Sequence, residues 1–352
     1  MNKKGFVLAL LGGVFVILIA VISIIGDVFS VKLITGNGFA MSTTIDQQVY
    51  TRSVSMGNQI ISQAMSELKT FEDRFSLYRT ESEISKINEN AGVGYVEVSE
   101  QTFALIKKAV SYCALSNGVF DITIAPVTRA WGVNSDAPRV PSQQERDALR
   151  ALVNYNDILL DEQTHSVMLR NKGQSIDLGA VAKGEACNIV RDLYLQNKVS
   201  AALLSIGGNT MVTGKKPSGA DFVIGIRDPR GTQIEVLGTV RLTDEVLSTS
   251  GDYERVFEQD GKRYHHIMDP STAAPAETDL MSVTAICEDG MYADFLSTWL
   301  FLLGRDEALR RIDAIDAEIV VVDKDYNVFV SQGLREVFTP SQNSAYTYHL
   351  DF

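Results

Sequence analysis

Several short stretches of this chain carry residue types that do chemistry, at spacings that bring them together. Met291 to Leu303 is apolar almost all round, with Met291, Tyr292, Phe295, Leu296, Trp299, Leu300, Phe301 and Leu302. Its polar exceptions, Asp294, Ser297 and Thr298, fall at i, i+3 and i+4 and so share one helix face. A buried carboxylate needs a partner, and two hydroxyls one turn away are weak ones. A metal ion would be a strong one, and oxygen ligands of this kind suit Mg2+ or Ca2+ rather than zinc. The alternative is that Asp294 complements the positive end of its own helix while Ser297 and Thr298 bond to backbone.

A second stretch, Ser175 to Ala186, reads as a strand, a small loop at Gly179-Ala180 and a helix from Ala182, with Asp177 before the loop and Lys183 after it. Helix N-termini expose N–H groups and a positive dipole end, so the junction suits phosphate; an ordinary strand-to-helix corner is the competing reading. A third, Arg263 to Pro270, places His265 and His266 on a strand. Successive strand side chains alternate faces, so only one of the two can face a given pocket and serve there as a general base. Ser248-Thr249-Ser250-Gly251-Asp252 is a similar polar strand end, which by itself would pass as a loop. Neither phosphate-loop motif fits: Gly208 to Lys215 has the wrong spacing for a Walker loop, and no GxGxxG occurs.

The elements that must position these residues follow from periodicity. Asp27–Gly38 reads as a spacer, and Phe39–Thr44 with Val49–Thr51 as the first strands. Ile60 to Phe75 is an amphipathic helix, and Ser82 begins a short one. Ser99 caps a third helix that Asn117-Gly118 stops. Pro126 discourages a central strand through Ile122–Trp131. Val167–Leu169 and Ser175–Leu178 read as buried strands, and Ala182–Gln196 as a helix. Further strands run at 201–206, 222–226, 236–240, 246–249 and 282–286, with Asp260-Gly261 turning a hairpin. Strands grouped as hairpins between helices indicate an α+β fold with a mixed or antiparallel sheet, in one unit spanning residues 38–352.

With 352 residues the chain can bury a large core, and its net charge of −12 argues against nucleic acid as a partner. Cys113, Cys187 and Cys287 are odd in number, far apart and without CxxC spacing, so buried thiols are expected rather than zinc or disulfides. Lys3-Lys4 precede a nearly unbroken apolar run from Phe6 to Ile25, long enough to span a bilayer. The lysines favour a cytoplasmic N-terminus. No A-x-A site follows the run, so residues 1–30 read as an uncleaved signal-anchor rather than a cleaved signal. The expected location is the cell membrane, single-pass, with the folded unit on the extracytoplasmic side.

In order along the body, this sequence resembles the ApbE family of flavin transferases, also called FAD:protein FMN transferases. The resemblance is carried by Met41-Ser42-Thr43, Ser76-Leu77-Tyr78-Arg79 with Ser82-Glu83-Ile84-Ser85, and Gly118-Val119-Phe120-Asp121 through Trp131-Gly132. It continues with Ile176-Asp177-Leu178-Gly179-Ala180-Val181-Ala182-Lys183-Gly184, Gly207-Gly208-Asn209, Ser250-Gly251-Asp252-Tyr253-Glu254, His266-Ile267-Met268-Asp269-Pro270, and Asp294 to Thr298. Two positions depart: Ser42 stands where a glycine is common, and Ala273 where one usually follows the Asp-Pro-x-Thr segment.

The resemblance implies that FMN is transferred from FAD, through a phosphoester, to a threonine hydroxyl of an acceptor protein, with release of AMP. It implies a Mg2+ site made by Asp294, Thr298 and the Ala180 carbonyl, with Ser297 adjacent. It implies FAD contacts from Met41, Tyr78, Val119, Phe120, Asp121, Asp177, Lys183, His266 and Ile267. His266 is the expected base for the threonine, with Asp252 as its orienting partner. The rival readings are a Mg2+-dependent FAD pyrophosphatase giving FMN and AMP, and a membrane-anchored protein that binds FAD without turning it over.

Overall fold

The computed structural model describes residues 30–342, 345–350 and 352. The expected signal-anchor, 1–30, lies outside the described residues but for Ser30; among the described residues no helix is long and apolar enough to cross a membrane.

A nine-stranded sheet organises the fold. Its spatial order is Lys32–Ala40, Thr43–Thr51, Ala201–Ile206, Asn209–Thr213, Val246–Gly251, Leu280–Cys287, Glu318–Asp323, Asn327–Val330 and Thr347–His349. Every neighbouring pair is antiparallel except the last, which is parallel. Alternation along the strands splits the core in two. Val246, Val283, Ile319 and Val321 face a layer of helices, chiefly Val54–Phe75, Ala182–Gln196 and Gly290–Leu303. Leu247, Ile286, Val320 and Val322 face a second, three-stranded sheet of Phe222–Arg227, Val236–Leu242 and Phe338–Pro340. The architecture is thus α+β, with helices on one face of the main sheet and a small sheet on the other.

Helix boundaries follow local capping chemistry. Ser53, Ser82 and Ser99 each accept a hydrogen bond from a backbone N–H in the first turn of the helix they begin. Ser142 and Glu145 form a reciprocal capping box for Gln143–Arg150. Pro126 sits in the first turn of a short helix, Ala125–Trp131, where its missing N–H costs nothing.

Two expectations are corrected. Residues 32–38, read as spacer, belong to the edge strand Lys32–Ala40, so the folded unit begins before residue 38. The glycines that looked like linker are points of close approach: a Cβ on Gly36 would lie 2.4 Å from Ile61, and one on Gly38 would lie 2.6 Å from Met65. The helix Val54–Phe75 can therefore lie against the strand backbone. Second, Ser175–Leu178, with Ser175, Ile176 and Leu178 buried, joins no sheet. A side chain takes the place of the missing strand: the Asn88 amide accepts from Ile176 N at 2.7 Å and donates to Ile176 O at 3.1 Å. The Asp177 N–H donates to Ile122 O at 2.7 Å. Buried backbone groups must be paired, and here an asparagine pairs them.

Candidate active site

The site is assembled where two helices cross at the central strand. Gly184, in the first turn of Ala182–Gln196, meets Gly290, the first residue of Gly290–Leu303. A Cβ on Gly184 would lie 2.0 Å from Gly290 O, and one on Gly290 would lie 2.4 Å from Gly184 O. This backbone-to-backbone approach lets Asp294 accept a hydrogen bond from Gly184 N at 3.0 Å. The positive helix end that Asp294 complements is therefore its neighbour's. Its own helix is capped by Asp289, which accepts from Met291 N and Tyr292 N.

Asp294 is 3% exposed. Ser248 donates to its Oδ1 at 3.0 Å, and Lys183 Nζ stands 3.9 Å from the same oxygen. Lys183 also donates to the Gly179 carbonyl at 3.0 Å, so a cationic group is already drawn to this corner between carboxylate and loop. Ser248 and Ser250 project from the same face of the central strand Val246–Gly251 toward the helix. Ser250 contacts Ser297 Oγ at 2.9 Å and Thr298 Oγ1 at 3.0 Å. Ser297 is fully buried and donates to the Asp294 backbone carbonyl at 2.9 Å, so its hydroxyl is turned inward while Thr298 lines the cavity.

That cavity has a volume of about 440 Å3. Its wall gathers Met41, Tyr78, Phe120, Asp121, Asp177, Ala180, Lys183, His266, Ile267 and Thr298 from six separate stretches of chain. Val119 is not part of the wall; it packs against the core beside Phe120. The Asp121 carboxylate accepts from Thr123 N at 2.8 Å, Thr123 Oγ1 at 2.6 Å and Tyr155 N at 2.9 Å, and thus braces the turn that presents Phe120. Burial pushes its carboxyl above the usual range against those bonds. Asp177 accepts from Gly179 N at 2.8 Å, which closes the loop, and burial raises its carboxyl as well. Tyr78 stands 69% exposed at the cavity wall.

The two adjacent histidines were expected on one strand, but the strand Lys262–His265 ends at the first of them and His266 sits in the bend that follows, which turns the two side chains apart. His265 is fully engaged: Nε2 bonds the Ala276 carbonyl at 2.9 Å and Nδ1 accepts from Ile267 N at 3.3 Å. His266 lines the cavity, and its enclosed Nδ1 has no hydrogen-bond partner among the described residues. Burial first, then the Arg255 cation, His265 and Lys183, push its imidazole down to about 3. The ring is therefore neutral at physiological pH. Asp252 is not brought to His266. Both its oxygens are held by Arg230 in a bidentate pair at 2.7 Å each.

Sequence reasoning missed Gly184 and Gly290 as contact points, Asn88 as the brace of the Asp177 loop, and Ser248 and Ser250 as partners of the Asp294 helix. The period-two placement of Ser248 and Ser250 was the available signal. No cluster of three or more His, Cys, Asp or Glu occurs among the described residues, so a metal site built from them would draw on hydroxyl and carbonyl oxygens as well. The donor set of Asp294, Thr298 and the adjoining loop backbone is of that hard-oxygen type and fits Mg2+.

This combination of fold and site recurs in known proteins. The ApbE family profile matches residues 41–322. A protein of Klebsiella pneumoniae named FAD:protein FMN transferase is 35% identical over 310 residues, covering 84% of this chain and 96% of its own length. One of Vibrio cholerae with the same name is 30% identical over 302 residues, covering 85% of each chain. Among solved structures, the ApbE protein from Thermotoga maritima superposes with a TM-score of 0.82 at 32% identity, covering 87% of this chain and 99% of the other. The flavin transferase ApbE from Vibrio cholerae gives 0.75 at 25% identity, covering 90% and 99%. With the match extending from the Met41 turn through the Asp294 helix to the Glu318–Asp323 strand, the chain belongs to the ApbE family.

Proposed function

We propose that this chain is a FAD:protein FMN transferase, which moves FMN from FAD to a threonine hydroxyl of an acceptor protein and releases AMP. The observation that carries the reading is the single cavity on whose wall Asp177, Lys183, His266 and Thr298 meet, with Asp294 held directly behind Lys183. The threonine oxygen forms a bond to the FMN-side phosphorus, and the bond from that phosphorus to the bridging oxygen breaks. AMP leaves with the bridging oxygen on its own phosphate.

His266, whose Nδ1 has no hydrogen-bond partner among the described residues and faces the cavity, accepts the threonine proton. Lys183 lies along the phosphate path and balances anionic charge there. Asp177 closes the Gly179-Ala180 loop and so orients Lys183 through the Gly179 carbonyl. Tyr78, Met41, Phe120 and Ile267 supply the aromatic and apolar wall for the flavin or adenine ring. Mg2+ held by Asp294, Thr298 and the Ala180 carbonyl would neutralise charge developing on the phosphate oxygens. Asp252 has no part in this reading, because Arg230 occupies it.

We place the chain at the cell membrane, anchored by residues 1–30 with the catalytic unit outside the cytoplasm; the support is Lys3-Lys4 followed by the apolar run to Ile25. Membrane fractionation with protease added from outside tests it: a protected, cytoplasmic catalytic unit refutes the orientation.

The activity is tested by incubating the full chain with FAD, Mg2+ and a threonine-bearing acceptor flavoprotein, then viewing flavin fluorescence on a denaturing gel. A labelled acceptor band is expected, lost on adding EDTA. Free FMN and AMP without a band mean hydrolysis, and unchanged FAD means binding alone; either refutes transfer.

A further inference from the structure

The hydroxyls behind the cavity contain more information than their distances. Ser297 Oγ stands 2.9 Å from the Asp294 carbonyl oxygen, Ser250 Oγ 2.9 Å from Ser297 Oγ, and Ser250 Oγ 3.0 Å from Thr298 Oγ1. Two oxygens at such separations attract only if one proton lies between them. Apart from the longer 3.4 Å separation of Ser248 Oγ from Ser297 Oγ, which needs no proton of its own, there are three contacts, and the three hydroxyls supply one proton each. The carbonyl supplies none, so the direction of the whole chain is set from that end. Ser297 donates to Asp294 O, Ser250 must then donate to Ser297, and Thr298 must donate to Ser250.

No proton remains on Thr298 to point into the cavity. Its Oγ1 faces that space with lone pairs only, as a ligand for a cation and not as a donor to phosphate. A parallel chain orders Asp294. Ser248 gives its one proton to Asp294 Oδ1 at 3.0 Å, and so cannot also donate to the Asn209 amide 3.1 Å away. As the amide stands, Asn209 Nδ2 is buried without a partner among the described residues. Turning the amide over lets Nδ2 donate to Ser248 Oγ.

We propose that Ser250 is a positioning residue that fixes the proton of Thr298 away from the cavity and thereby makes Thr298 a preformed cation ligand. This rests on the Mg2+ site of the proposed function, and the test separates the two. Mg2+ is titrated calorimetrically into the full chain without FAD. Removing an outer partner of a metal ligand characteristically weakens metal affinity about 10–100-fold, and Ser250→Ala is expected to fall in that range. Ser250→Thr, which keeps the hydroxyl, is expected to bind Mg2+ like the wild type. In a Thr298→Val background, Ser250→Ala should add no further loss, because the ligand it orients is gone.

Each result decides something. Wild-type affinity in Ser250→Ala overturns the inference, as does an equal loss from Ser250→Ala with and without the Thr298 hydroxyl. Absence of Mg2+ binding by the wild-type chain overturns the metal site itself. Cooperative thermal unfolding in EDTA checks that Ser250→Ala folds. If it does not, Ser250→Cys, with a weak donor and acceptor of similar size, is titrated in its place under the same criteria.

Discussion

The Gly184–Gly290 crossing makes the most demanding prediction. An added Cβ at Gly184 would sit 2.0 Å from Gly290 O and 2.8 Å from Asp294 Cβ. A carbon and a carbonyl oxygen do not approach closer than about 3 Å, so Gly184→Ala must drive the two backbones about 1 Å apart. Neither neighbour is a flexible side-chain end that can swing aside. The Gly184 N–H to Asp294 bond, 3.0 Å in the native fold, would stretch to about 4 Å and cease to be a hydrogen bond. Overpacking costs about 1–3 kcal/mol, and a hydrogen bond to a charged group contributes about 1.5–3 kcal/mol. The two losses share one displacement and do not add fully, so about 2–4 kcal/mol is expected. With a urea slope of about 3 kcal/mol per M, the unfolding midpoint falls by about 1 M. Mg2+ affinity should fall with it, because Asp294 loses a bond that orients it. Gly94→Ala, where an added Cβ meets nothing within 4 Å, is the control and should stay within about 0.5 kcal/mol of wild type. A Gly184→Ala protein with the wild-type midpoint would refute the close crossing and the account of Asp294 built on it.

Three further outcomes are expected. Asn88→Ala leaves Ile176 N and O without partners, at about 1–3 kcal/mol for each buried group; urea unfolding should show the loss and FAD titration a weaker affinity, since the same loop carries Asp177. Met41 and Ser42 form a two-residue turn with φ of 53° and 58°. A left-handed conformation costs a non-glycine residue about 1–2 kcal/mol, so Ser42→Gly should stabilise by up to about 1 kcal/mol after its entropic cost; a lower midpoint would contradict the turn. Finally, the folded His266 imidazole titrates near 3, below its unfolded value of about 6.5. Between those limits the unfolded chain binds the extra proton, so stability falls as pH drops from about 6.5 toward 3. His266→Gln should show a shallower decline, and an identical pH profile would mean that His266 is not held neutral in the fold.

What could be read directly from the residues was whatever depends on neighbours close in sequence. Ser82 and Ser99 begin helices because each hydroxyl reaches an N–H three residues on. The helix Ala182–Gln196 and the hairpin at Asp260-Gly261 follow from local periodicity and turn chemistry. The polar face of Asp294, Ser297 and Thr298 is a property of helical spacing alone. Spacing could not say that Ser297 turns inward while Thr298 reaches the cavity, since both directions suit the same pattern.

Contacts between distant segments decided the rest. Gly36 and Gly38 looked like linker because a glycine's local signal is flexibility, whereas here its function is to admit a side chain from another helix. Ser175–Leu178 has a strand's apolar pattern but is paired by an asparagine 88 residues away. Asp252 carries a charge that any nearby cation could claim, and folding gave it to Arg230 rather than to His266. Residue order therefore determined which groups exist and which helix or turn carries each. Tertiary packing determined their partners, because hydrogen bonds and ion pairs form with whatever lies within about 3 Å, and a linear sequence does not specify that distance.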